Sequence, residues 1–256
     1  MTRLLASVRS AEEAAIVLAG GADFIDLKEP ATGALGRLPD ATIRTCVATV
    51  AGRRKVSATI GDMALEPCPV LAAVRDMAAL GVDIVKVGIF DGEVAGTLET
   101  LGQAARDGIR LVAVLFADRR PNLGLVAACA VAGFHGVMLD TADKAAGPLT
   151  RHLDIETLRS FIAVARSYEL LTGLAGSLRL SDIDTLVPLG PDYLGFRSAL
   201  TRGERAGPLS GEAVGAVRAA LAQASARSSA TATAGAASAA AAAMPSGAAM
   251  RLAKSR

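Results

Sequence analysis

The chain has 256 residues, with 27 Lys and Arg against 25 Asp and Glu for a formal net charge of +2; this near balance, with no basic stripe, excludes the electrostatic footprint of a nucleic-acid binder. Hydrophobic residues make up 52% of the chain, yet no apolar run approaches the roughly 18 residues of a membrane span, which argues against a membrane partner. Three scattered cysteines (Cys46, Cys68, Cys129) give neither a disulfide framework nor a zinc spacing, so a cytoplasmic protein is expected.

The first apolar run, Leu4-Leu5-Ala6-Ser7-Val8, lies between Arg3 and Arg9. It is too short for a signal-peptide core and reads as a strand. Ser10-Ala11-Glu12-Glu13 then supplies an N-cap and an acidic first turn, and Gly20-Gly21 a helix stop. Further short β-branched runs predict strands at 24–28, 55–60, 83–89, 110–116, 136–140, 170–174 and 193–196. Helices are predicted between and after them at 40–51, 67–80, 92–106, 123–132, 155–168, 180–187 and 211–223, several stopped by glycine (Gly81, Gly108, Gly133). Eight strands alternating with eight helices predict an α/β chain with a single (β/α)8 TIM barrel over 1–223. An open doubly wound sheet is the alternative, but it would more often carry an early Gly-rich dinucleotide turn, which is missing here. The segment 224–256 is rich in Ala, Ser, Thr and Gly, has no aromatic residue, and is expected to be a disordered tail.

Two lysines stand where buried parallel strands should have none. Lys28 ends Phe24-Ile25-Asp26-Leu27-Lys28, and Lys86 sits in Ile84-Val85-Lys86-Val87-Gly88. Barrel active sites lie at the C-terminal ends of the strands, and alternate strands share a layer of inward side chains. Strands two, four and six therefore bring Lys28, Lys86 and Asp140 to one cavity, with Asp26 on the same strand face as Lys28 and Lys144 four residues beyond Asp140. A neighbouring ammonium and an apolar wall favour a neutral amine, which can form an imine with a carbonyl while the aspartates move protons. The plainer alternative is a set of ion pairs at the barrel rim: Lys28 with Asp26, Lys144 with Asp140, and Lys86 snorkelling to water. The convergence of three lysines and two carboxylates on even strands favours amine catalysis.

Phosphate recognition is the second expectation. Loops after strands seven and eight form the phosphate cup of many barrels. Here they contain Gly176-Ser177 and Gly195-Phe196-Arg197, which predicts Gly176, Ser177, Gly195 and Arg197 as phosphate contacts. The loop after strand two carries Gly33 and Gly36 and can form a second anion cradle. His135 and His152 are isolated and read as surface or loop residues. Asp140 and Asp143 lack a third carboxylate to complete a metal shell, so no metal is expected. Arg119-Arg120 follow strand five on the site's rim, either as phosphate attractors or as a solvated loop.

Taken together, Ile25-Asp26-Leu27-Lys28-Glu29-Pro30, Gly33-Ala34-Leu35-Gly36, Val85-Lys86-Val87-Gly88, Leu139-Asp140-Thr141-Ala142-Asp143-Lys144 and Gly176-Ser177-Leu178 resemble the (5-formylfuran-3-yl)methyl phosphate synthase family over residues 3–222. The resemblance implies a barrel lyase that condenses two glyceraldehyde 3-phosphates, without a cofactor, on the way to methanofuran-type one-carbon carriers. It implies Lys28 as the imine-forming residue, Lys86 as the second essential lysine, and Asp26, Asp140 and Lys144 as the acid–base group. Where the family pattern leads one to expect a lysine after strand five, Arg119 and Arg120 stand instead. The mechanism expected from it runs through a Lys28 enamine adding to the aldehyde of the second triose. Another Schiff-base sugar-phosphate aldolase and a non-catalytic phosphometabolite-binding barrel are the competing functions. The sequence leaves a homo-oligomer open.

Overall fold

Eight parallel strands hydrogen-bond in sequence order until the eighth pairs with the first, closing a barrel. The structure is a computed structural model that describes residues 1–202 and 207–242. The strands are β1 (Arg3–Val8), β2 (Phe24–Leu27), β3 (Lys55–Thr59), β4 (Ile84–Gly88), β5 (Leu111–Phe116), β6 (Gly136–Asp140), β7 (Leu171–Leu174) and β8 (Tyr193–Phe196). The helices around them are α1 (Ala11–Ala19), α2 (Asp40–Val50), α3 (Pro67–Ala79), α4 (Val94–Arg106), α5 (Leu125–Val131), α6 (Leu149–His152), α7 (Ile155–Ser167), α8 (Ile183–Leu186) and α9 (Gly211–Ala242). The chain is thus a TIM barrel.

Strands buried on both faces read as unbroken apolar runs, and alternation divides them into two cores. Leu4, Ala6, Val8, Ile25 and Leu27 face outward and join the large cluster beneath the helices. Leu5, Phe24, Ile84, Val112, Val114, Phe116, Met138 and Tyr193 form the cluster inside the barrel. Phe24 and Tyr193 lie 5.3 Å apart between ring centres, filling the end where the strands begin. A Cβ at Gly173 would lie 2.2 Å from the Tyr193 ring, so only glycine leaves room for this plug. Above the plug the inward positions turn polar.

The helices differ from expectation in three places. A single turn, α6, precedes α7 after the Gly147-Pro148 stop. The predicted helix at 180–187 is a 3-10 turn, the four-residue α8, and another 3-10 turn carrying Pro188. Proline removes a backbone donor and breaks the α pattern there. α9 continues past Gln223, where the tail was expected to start, through Ala242. The rest of that expected tail, 243–256, lies outside the described residues. Among the described residues no helix is long and apolar enough to cross a membrane.

Candidate active site

Strand register builds the site. Ser7, Asp26 and Ser57 are level across β1, β2 and β3, and Lys86 on β4 pairs with Thr59. All point inward above the aromatic plug. Asp26 is fully buried and accepts hydrogen bonds from Ser57 Oγ at 2.6 Å, Lys86 Nζ at 2.9 Å and Ser7 Oγ at 3.0 Å. Burial pushes its carboxyl up, but Lys86, Lys28 and Ser57 outweigh that and hold it below the usual carboxylate range. Lys86 is 1% exposed. Burial lowers its basicity, Asp26 opposes that, Lys28 adds to it, and the balance stays lowered.

Lys28 follows the last residue of β2, and its N–H still donates to Val8 at 3.0 Å. Its amine is paired with Asp140 Oδ2 at 3.4 Å, not with the aspartate two residues before it. Asp140 closes β6 and receives two other donations. Thr141 N–H reaches Oδ1 at 2.8 Å, and Lys144 Nζ donates to Oδ1 and to the Thr141 carbonyl. Burial again works against ionisation, while Lys144 and Lys28 hold the Asp140 carboxyl far below its ordinary range. Asp26, Lys28, Lys86, Asp140 and Lys144 line a single cavity.

Gly176, Ser177, Gly195 and Arg197 form the wall of that cavity from the β7 and β8 loops. Two of these residues also make contacts within the chain. Ser177 is in the left-handed region (φ 47°), and its hydroxyl donates to the Lys144 carbonyl at 3.1 Å. The Arg197 guanidinium is held in a buried ion pair with Glu13, its Nη2 lying 3.0 Å from Oε1, and also donates to the Ser7 carbonyl at 3.2 Å. Gly33 and Gly36 do not reach the cavity. The N–H groups of Ala34 and Leu35 in their loop donate to Asp62 at 2.9 and 2.7 Å, so the chain's own carboxylate fills the cradle predicted for a second anion. Arg119 lies over the rings of Phe90 and Phe116, at 5.3 and 5.9 Å from their centres.

The residues missed in the sequence are Ser7, Ser57, Glu13, Asp62 and Asp118. Ser7 and Ser57 carried a readable signal: each is a polar residue of inward parity in an apolar strand. Asp118 carried none, because its role depends on the neighbouring strand. Its carboxylate accepts the N–H groups of Ala142 and Asp143 at 2.8 and 2.7 Å.

The pattern of the 4-HFC-P synthase family matches residues 4–218. A Methanosarcina mazei protein named (5-formylfuran-3-yl)methyl phosphate synthase is 36% identical over 224 residues, covering 83% of this chain and 96% of its own. A Methylorubrum extorquens relative, which carries the same name provisionally, is 44% identical over 200 residues, covering 78% and 83%. Among solved structures, 3-hexulose-6-phosphate synthase from Salmonella typhimurium superposes with a TM-score of 0.64 at 17% identity, over 87% of this chain and 99% of its own. At that identity the likeness speaks of the barrel alone.

Proposed function

The chain belongs to the 4-HFC-P synthase family, and on that premise we propose that it makes (5-formylfuran-3-yl)methyl phosphate from two glyceraldehyde 3-phosphates through an imine on Lys28. The observation that carries this reading is the pair of lysines with unequal surroundings. Lys86 lines the same cavity at 1% exposure, its ammonium held against the buried Asp26 carboxylate at 2.9 Å. Lys28 stands at 6% exposure in the cavity wall, 3.4 Å from Asp140. Asp140 orients the amine toward the cavity, where loss of its proton to solvent leaves a neutral nucleophile that can attack a carbonyl.

The product's skeleton dictates the order of events. One triose isomerises to the ketone as Asp140 moves a proton between neighbouring carbons. Lys28 condenses with that ketone, and the first water leaves. The second triose loses the proton from C2 and its phosphate from C3, leaving an enol whose terminal carbon is nucleophilic. That carbon attacks the imine carbon and forms the new C–C bond. An enamine adding to an aldehyde would instead give an unbranched six-carbon chain. Only attack at the imine carbon leaves the phosphomethyl group as a branch on the ring. Loss of a proton from the new methylene then expels the Lys28 amine. The first triose's hydroxymethyl oxygen closes onto the adjacent ketone, and the second water leaves as the furan becomes aromatic. Two trioses thus lose one phosphate and two waters. Lys144 and Asp140 act at the mouth, whereas Asp26 and Lys86 form the rigid floor that fixes the imine. The small-residue wall of Gly176 and Gly195 leaves space for the retained phosphate.

Incubation with glyceraldehyde 3-phosphate and borohydride tests this. A reduced adduct on the Lys28 peptide is expected, together with a product of furan absorbance and matching mass. Lys28→Ala should lose both. Turnover persisting in Lys28→Ala, or binding without an adduct, would overturn the imine. A hexose phosphate product would make the protein an ordinary aldolase.

A further inference from the structure

We propose that Asp118, just beyond β5, is a positioning residue that holds the 140–144 loop in the shape that brings Lys144 to Asp140. The inference rests on the function proposed above only for its kinetic consequence. Phe116 and Asp140 are level across β5 and β6, so the two strands end together. Two residues past that level, the Asp118 carboxylate spans the gap and takes the backbone N–H groups two and three residues past Asp140, one on each oxygen, at 2.8 and 2.7 Å. Charge-assisted bonds of this length fix a loop more firmly than neutral ones. Thr141 N–H on Asp140 and Ser177 Oγ on the Lys144 carbonyl fasten the two ends. The middle of the loop depends on Asp118. The side chain is half-buried and does not line the cavity, while its neighbour Arg119 turns over the rings of Phe90 and Phe116. Any effect of Asp118 on the chemistry therefore passes through the loop.

Two readouts test this, one of them independent of the reaction. Competitive acetylation followed by mass measurement reports the exposure of each lysine. In Asp118→Ala, Lys144 should acetylate at least about threefold faster while the surface residue Lys55 does not change. The second readout is a double-mutant cycle on furan formation. Small displacements of a catalytic group cost up to about a hundredfold in rate, so Asp118→Ala should lower kcat by about ten- to a hundredfold, and KM by less than about threefold either way. On a Lys144→Ala background the same substitution should cost less than about threefold. Circular dichroism confirms folding, and Asp118→Asn, which keeps one acceptor, serves if the alanine variant fails to fold. Unchanged Lys144 labelling, or an equal kcat loss on both backgrounds, would overturn the proposal. A wild-type chain that makes no furan while Lys144 labelling still rises would sink the proposed function and leave the role of Asp118 standing.

Discussion

Asp26 is a carboxylate buried from bulk solvent. Its ionisation rests on Lys86, Lys28 and two serine hydroxyls, because burial alone would neutralise it. Breaking such a pair leaves an uncompensated charge, whereas replacing both members by uncharged groups costs far less. Lys86→Met should therefore destabilise the fold by about 3 kcal/mol, near the lower end for a broken buried pair because Lys28 remains close. Asp26→Asn combined with Lys86→Met should recover most of that loss in urea unfolding. A Lys86→Met chain as stable as wild type would mean that the pair adds nothing to stability. The two aspartates also set the acid limb of stability. Asp26 and Asp140 both titrate lower in the folded chain than the usual Asp value of about 3.9. Between the folded and unfolded values the unfolded chain holds more protons, so this stabilisation is whole above about pH 4 and is lost as pH falls further. Thermal melts from pH 6 to pH 3 should show Tm falling at the acid end, with a shallower fall in Asp140→Asn.

Among the elements, β7 and β8 show how a glycine can be read from its neighbour. Tyr193 is pinned between Phe24 and the Met138 sulfur, which its hydroxyl meets at 3.6 Å. A methyl group at position 173 would press into a ring that has nowhere to go. Gly173→Ala should cost about 2–3 kcal/mol, the range for overpacked cores. Gly215→Ala, in α9 with nothing within 4 Å of the new carbon, should instead stabilise by about 0.5–1 kcal/mol through helix propensity. Chemical denaturation of both variants checks the contrast. Strands like these were legible in the sequence because short, β-branched apolar runs alternating with glycine-stopped helical stretches have few other readings. The even-strand cluster was legible because parity alone brings Lys86, Asp26 and Asp140 to one side. Partner choice was not legible. Lys28 passes over Asp26 for Asp140, Arg197 turns to Glu13, and the loop N–H groups after Gly33 take Asp62. Each choice depends on distances across elements far apart in sequence, which local pattern does not encode. Nor was the second task of Ser177 legible: it lines the cavity and its hydroxyl also fastens the Lys144 carbonyl.

For the whole molecule, the barrel has a reactive face and a supporting face, and α9 belongs to the second. Val214, Val217, Leu221 and Ala224 recur at helical spacing and are all buried. That stripe crosses the boundary at 223 where composition suggested a tail. Alanine is poor in surface to bury but is the best helix former, so a helix already anchored by three apolar residues continues through it. Beyond the boundary Ser225 is buried as well, Arg227 pairs with Asp184 of α8, and Ser225, Ser228 and Ser229 line a groove with Met1, Thr2 and Pro191 at the strand-start end of the barrel. The extension therefore braces the end opposite Lys28. A chain ending at residue 223 should melt about 2–4 °C below one ending at residue 231, the shift that about 1 kcal/mol produces in a domain of this size. Its kcat should be unchanged at a temperature where both are folded, because among the described residues nothing past Gln223 lines the cavity. Equal melting temperatures would show that the stripe ends functionally at Leu221. A fall in kcat without a fall in Tm would mean that the two faces of the barrel are coupled through the strands.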